Sequence, residues 1–88
     1  MSVEEALAIL NSVKGKVDKR VVEKVLNDVL DEYLRSKSVK EAIIVGYALN
    51  ADLVRQNREV FDALAKALER LSSKLGLNEA VSVVISYV

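Results

Sequence analysis

Along most of this chain, apolar residues recur at steps of three and four, the spacing that gathers them on one face of an α-helix. Ala6, Leu7, Ile9, Leu10 and Val13 make the first such stripe. Ser2 and Glu5 precede it in the capping-box spacing, where each side chain satisfies a backbone donor of the other residue. Gly15 follows, the residue type that accepts the left-handed conformation at a helix end. Asp18 is then placed to cap a second helix, in which Val21, Val22, Val25, Leu26, Val29, Tyr33 and Leu34 continue the three-and-four rhythm. Its β-branched residues lower the intrinsic helix propensity, but so regular a period outweighs them. Ser36-Lys37-Ser38 is the next break, and Ser38 with Glu41 repeats the capping-box spacing, so a third helix begins near Val39.

From there a seam runs through Ile43, Tyr47, Asn50, Val54, Asn57, Phe61, Leu64, Leu68, Leu71 and Leu75, alternating steps of four and three without a slip. Such alternation marks a helix whose stripe faces a partner along its whole length. Unbroken, residues 39–75 would form a rod of about 55 Å. Gly46 and Asn50 weaken the helix locally, and a break with Asn50 or Asp52 capping a fourth helix is the preferred reading. Gly76 followed by Leu77 reads as a glycine C-cap with an apolar follower. Beyond it, Asn78 can cap a last helix from Glu79. Val81, Val83, Ile85 and Tyr87 also alternate as a strand would, so 79–88 reads as helix by preference and as strand in the alternative. The expected fold is all-α: one domain over residues 1–88, a small antiparallel bundle of four to five helices.

Composition changes this picture in three ways. Hydrophobic residues make up 51% of 88 residues, mostly Val, Leu, Ile and Ala, with no Trp and one Phe. That is more aliphatic surface than a small core readily hides, and it points to self-association. Thirteen basic residues balance thirteen acidic ones, so the net charge gives no support to nucleic-acid binding. Proline and cysteine are absent, and the Lys/Glu/Val-rich remainder resembles a thermophile's usage. The acidic, amphipathic Met-Ser-Val-Glu-Glu start is unlike a signal peptide, and the apolar runs 42–49 and 81–88 are too short to span a bilayer. A cytoplasmic location is expected.

Candidate chemistry is scarce. With neither histidine nor cysteine, the commonest general base, zinc ligands and thiolate nucleophile are missing. The three glycines stand far apart, so no phosphate-cradling loop is formed. Asp28 and Asp31 on the second helix, with Glu4 and Glu5 on the first, are the acids a magnesium-dependent nucleotide pyrophosphohydrolase would need. Adjacent Glu4 and Glu5 point about 100° apart around their helix, which counts against that enzyme. Lys14, Lys16, Lys19, Arg20, Lys24 and Lys40 offer a nucleic-acid alternative, weakened by interleaved Asp18 and Glu23 and by the lack of an aromatic residue among them. Asn50 and Asn57, one heptad apart in an apolar seam, are the sharper feature, because polar seam residues fix register and partner number. The expected function is therefore non-catalytic: a small interaction or assembly (adaptor) domain that meets a copy of itself, as a homodimer, or another protein. The expected contact stripe is Asn50, Val54, Asn57, Phe61, Leu64, Leu68, Leu71 and Leu75, shared with the internal core. No cofactor, metal or membrane partner is expected.

Overall fold

A computed structural model describes residues 2–88, with side chains from Val3 onward. The Ser2 side chain, half of the first predicted capping box, lies outside the described side chains. Among the described residues six helices follow in order: α1 (Ser2–Val13), α2 (Lys19–Ser36), α3 (Val39–Leu49), α4 (Ala51–Gln56), α5 (Arg58–Ser72) and α6 (Leu77–Tyr87). The expected all-α class holds, but with six helices rather than four or five. The predicted 39–75 region is cut twice, at Asn50 and at Asn57, which leaves α4 as a short helix between two longer ones.

Local chemistry accounts for most boundaries. Asp18 accepts the backbone N–H of Arg20 at 2.8 Å and so caps α2. That bond, and then the Arg20 guanidinium, hold the Asp18 carboxyl below its ordinary range. Gly15 takes a φ of +79° in the turn after α1, as its position suggested. Lys37, at φ 58°, takes the same left-handed conformation after α2, and its N–H closes onto the Tyr33 carbonyl. Ser38 Oγ accepts the Glu41 N–H at 3.2 Å to start α3.

The C-terminal third departs from the reading above. α5 ends at Ser72, and Gly76 is not a left-handed cap: its φ of −67° and ψ of 159° are extended, and it stands directly before α6. The last helix therefore begins at Leu77, earlier than an Asn78 cap would place it. Helix prevails over strand in this segment because Leu77, Ala80, Val81 and Val84 bury together at helical spacing.

α2 packs on α3, α1 on α5, and α6 on both α5 and α2, so α6 joins the two helix pairs. The molecule is flat, 29 × 29 × 16 Å. Its core draws on every helix except α4: Leu10, Val25, Leu26, Phe61, Leu64, Leu68 and Val84 are all fully buried. Burying side chains of this size stabilises the fold by about 1.5–3 kcal/mol each before entropy is counted. Tyr47 ties α3 to α5, its hydroxyl donating to the Phe61 carbonyl at 2.7 Å while its ring meets the Phe61 ring edge-on at 5.5 Å. Burial pushes the Tyr47 phenol far above its ordinary value. The accessible surface is 5125 Å². A compact monomer of this mass exposes about 5,100 Å², so the flat fold exposes the total surface usual for its size. Within the described residues, no helix is long and apolar enough to cross a membrane.

Candidate functional site

α2 and α3 approach most closely where Gly46 faces Val29. A Cβ on Gly46 would lie 2.6 Å from Val29 Cγ2 and 2.9 Å from the Val29 Cα and N atoms, so only glycine lets the two backbones meet here. One turn further on, this contact sets the register for Asn50, the buried polar residue of the core at 7% exposure. The Asn50 carboxamide nitrogen donates to Asp28 Oδ2 at 2.8 Å and to the Gly46 carbonyl at 2.9 Å. Its oxygen accepts from Lys24 Nζ at 3.1 Å, and the same ammonium lies 3.0 Å from Asp28 Oδ2. The Asn50 amide first, and the Lys24 ammonium second, hold the Asp28 carboxyl below its ordinary range.

Asn50 and Asn57 break the helix in the same way. Each side-chain amide donates to the carbonyl four residues back, Gly46 and Leu53 respectively. That is the acceptor a backbone N–H would take in a continuous helix. Each backbone N–H shifts instead to the carbonyl three residues back, on Tyr47 and Val54. Each backbone carbonyl then accepts the first i→i−4 bond of the next helix, from the N–H of Val54 and of Phe61. The asparagine side chain substitutes for the helix ladder, and the chain turns.

The predicted contact stripe is thereby divided. Phe61, Leu64, Leu68 and Leu71 are buried against the chain's own helices. Asn50 is buried in the polar cluster just described, while Val54, Asn57 and Leu75 are half-buried. The exposed large apolar side chains lie elsewhere: Ile44 and Leu49 on α3, at 60% and 63% exposure, Leu34 near the end of α2, at 74%, and, less so, Val3 on α1. Leu34 thus leaves the stripe assigned to α2. Beside Ile44, a groove of about 320 Å³ is lined by Tyr47, Ala48, Ala51 and Val54 and rimmed by Arg55, Arg58 and Asp62.

The basic residues do not form one free patch. Lys14 sits over the Tyr87 ring at 5.5 Å, Arg20 pairs with Asp18, and Lys24 is engaged by Asp28 and Asn50. Lys16, Lys19 and Lys40 are exposed. The four acids of the magnesium reading are not brought together either: Glu5 pairs with Arg70 at 3.6 Å, and Asp28 turns to Asn50. Among the described residues, no three acidic side chains converge as a metal cage would require. What the structure brings together is the Asp28 carboxylate and the Asn50 carboxamide oxygen, both on the Lys24 ammonium, while the Gly46 carbonyl accepts the Asn50 NH₂. The two side-chain oxygens are hard donors suited to an open, largely hydrated cation site and too few for a closed one.

Lys24, Asp28 and Asn50 each belonged to a different sequence reading, as phosphate contact, magnesium ligand and seam residue. The Lys24–Asp28 spacing of four on one helix was a visible signal for an ion pair. The link to Asn50 was not visible, because it depends on how α2 and α3 cross at Gly46.

Comparison with curated proteins and with solved structures finds no match. A protein-family model described as "Calcium binding protein SSO6904" matches residues 1–88, the whole of the chain, and the chain belongs to that family.

Proposed function

We propose that this chain is a non-catalytic calcium-binding protein that takes the ion at an open site where α2 meets the α3–α4 break. Two things support the reading: the family's description, and an oxygen set already arranged around a positive charge. The observation that carries it is that Asp28 Oδ2 and Asn50 Oδ1 share one cation, the Lys24 ammonium, at 3.0 and 3.1 Å. Calcium takes about six to eight oxygens, so the two side chains of this cluster leave water to complete the shell. So few charged ligands correspond to the weak end of protein calcium sites, with a Kd of about 10⁻⁴–10⁻³ M. When bound, calcium supplies a divalent charge against Asp28. The chain's own contribution is to hold a half-buried carboxylate and a buried carboxamide at a fixed crossing of two helices.

Isothermal titration with Ca²⁺, with Mg²⁺ as the control, tests this. Saturable Ca²⁺ binding in that range, lost in Asp28→Asn, supports it. Unchanged binding in Asp28→Asn would move the ion elsewhere, and no binding at about ten times the expected Kd would remove the proposal.

A second reading, a small interaction or assembly domain, is favoured by Ile44, which stands exposed on α3 in the wall of an apolar groove, and by Leu49, exposed near the end of the same helix. On this reading the face that meets a copy or another protein is α3–α4, since Leu64, Leu68 and Leu71 are occupied internally. Light scattering of the wild type and of Ile44→Ser/Leu49→Ser tests it. A dimer that the double variant disperses supports this reading, and a monomer at all concentrations counts against self-association.

A further inference from the structure

We infer that this chain binds a second copy of itself through two unlike surfaces: Ile44, with Lys40 and Arg58 beside it, seats in the α2–α6 groove of the next copy, where Asp31 and Glu79 receive the two cations. This rests on the assembly reading, whose partner and mode of contact it names, and it is independent of the calcium reading.

The receiving surface lies where the end of α2 meets the start of α6. A groove of about 570 Å³ opens there, walled by Leu30, Tyr33, Leu34 and Leu77. Leu34 stands 74% exposed in that wall, an apolar side chain that the chain's own helices leave uncovered. Asp31 and Glu79 line the same groove and take part in no salt bridge among the described residues. Arg35, four residues after Asp31 and so on the same face of α2, is held by Glu32 instead. The groove is therefore apolar and negative.

The opposite chemistry stands on α3 and the start of α5. Ile44 is 60% exposed, Lys40 lies one turn before it on the same helix face, and Arg58 lines the Ile44 groove from α5. Neither Lys40 nor Arg58 is in a salt bridge among the described residues, whereas Arg55 is taken up by Asp52. Asp62 offsets one of these charges and leaves the rim basic on balance. An exposed isoleucine flanked by cations thus answers a leucine-walled groove flanked by carboxylates. Complementarity of this kind steers encounter and suppresses wrong pairings. Either surface against itself would set like charge against like. The two grooves share no lining residue, so one copy offers both at once. Such contacts close reciprocally in a pair or continue into a ring or chain.

The test is light scattering over a concentration series of the wild type, Ile44→Ser, Leu34→Ser and an equimolar mixture of the two variants. Both positions are exposed, so serine removes the apolar anchor and leaves the core untouched. The wild type is expected to reach at least the dimer mass, and each variant alone to stay at the monomer mass. The mixture is expected to double to the dimer mass and go no further. There the intact Ile44 of one variant meets the intact groove of the other, and the remaining two surfaces are both spoiled. Salt at about 1 M, which screens charges beyond about 3 Å, is expected to return the mixture to monomer. A mixture that stays monomeric while the wild type associates would overturn the inference, as would a mixed dimer indifferent to salt. Association of Leu34→Ser but not of Ile44→Ser would also overturn it, while leaving the assembly reading standing with the α3–α4 face against its own copy. A wild type that is monomeric at every concentration would overturn both.

Discussion

α4 and α5 lie end to end on one uninterrupted heptad pattern, yet they differ in almost every physical respect. α5 runs for 15 residues and buries six of them, Val60, Phe61, Leu64, Ala67, Leu68 and Leu71. α4 runs for six residues and buries none. Position in the pattern is therefore not what makes a helix persist. In α5 the seam residues are aliphatic or aromatic and have α1 and α6 to pack against. In α4 the seam residue at each end is an asparagine whose amide takes over a helix carbonyl. Where packing is strong the ladder continues, and where a side chain can replace the ladder the helix ends.

This contrast is open to direct attack, beginning with the buried side. Leu64→Ala removes a fully buried side chain of α5 and is expected to cost about 2–5 kcal/mol in denaturant unfolding. Leu49→Ala, on the exposed face of α3, is expected to stay within about 0.5 kcal/mol. Gly46→Ala forces a methyl group onto the Val29 backbone, and is expected to cost about 1–3 kcal/mol while weakening the Asn50–Asp28 contact that depends on that crossing. Asn57→Leu removes the side-chain substitute for the ladder at a half-buried position. It is expected to raise stability by about 0.5 kcal/mol and increase helical circular dichroism as α4 and α5 merge. An unchanged spectrum would mean that Asn57 follows the break rather than causing it.

The smallest effect concerns acid. The Asp28 carboxyl titrates below its ordinary value of 3.8 because the Asn50 amide, and then Lys24, favour its charged form. A group with a depressed folded pKa stabilises fully above its unfolded value and loses that contribution as pH falls through the folded one. The wild type is therefore expected to lose stability below about pH 4, and Asp28→Asn to lose less over the same range. Parallel acid-unfolding curves for the two proteins would contradict the assigned contact.

Much of the fold was legible because caps and periods are local. Asp18, Ser38 and Gly15 act as their residue types and spacing suggest, and all four buried positions of α2 fall on the predicted stripe, of which Leu34 alone is exposed. The misreadings came where two local signals competed. Gly76 can end one helix or precede another, and the choice depends on Leu77 reaching the core, which no neighbouring residue reveals. The Asn50–Asn57 pair reads either as a register device between two chains or as one break at Asn50, with Asn57 in the first turns of the next helix. The structure places breaks at both. The candidate site was the least legible part. Its residues are 22 and 26 positions apart along the chain, and only the glycine-sized gap at Gly46 brings them together.

The central claim is that the cation position lies between Asp28 Oδ2 and Asn50 Oδ1, at the place of the Lys24 ammonium. It is tested most directly by following backbone amide resonances of the ¹⁵N-labelled protein during a Ca²⁺ titration. The account predicts that the largest shifts cluster at Asp28, Gly46, Asn50 and Ala51, at the closed end of α3, with saturation in the submillimolar to millimolar range. Shifts concentrated on other carboxylates, such as Asp31 and Glu79 beside the α2–α6 groove, with the Asn50 region unmoved, would contradict it.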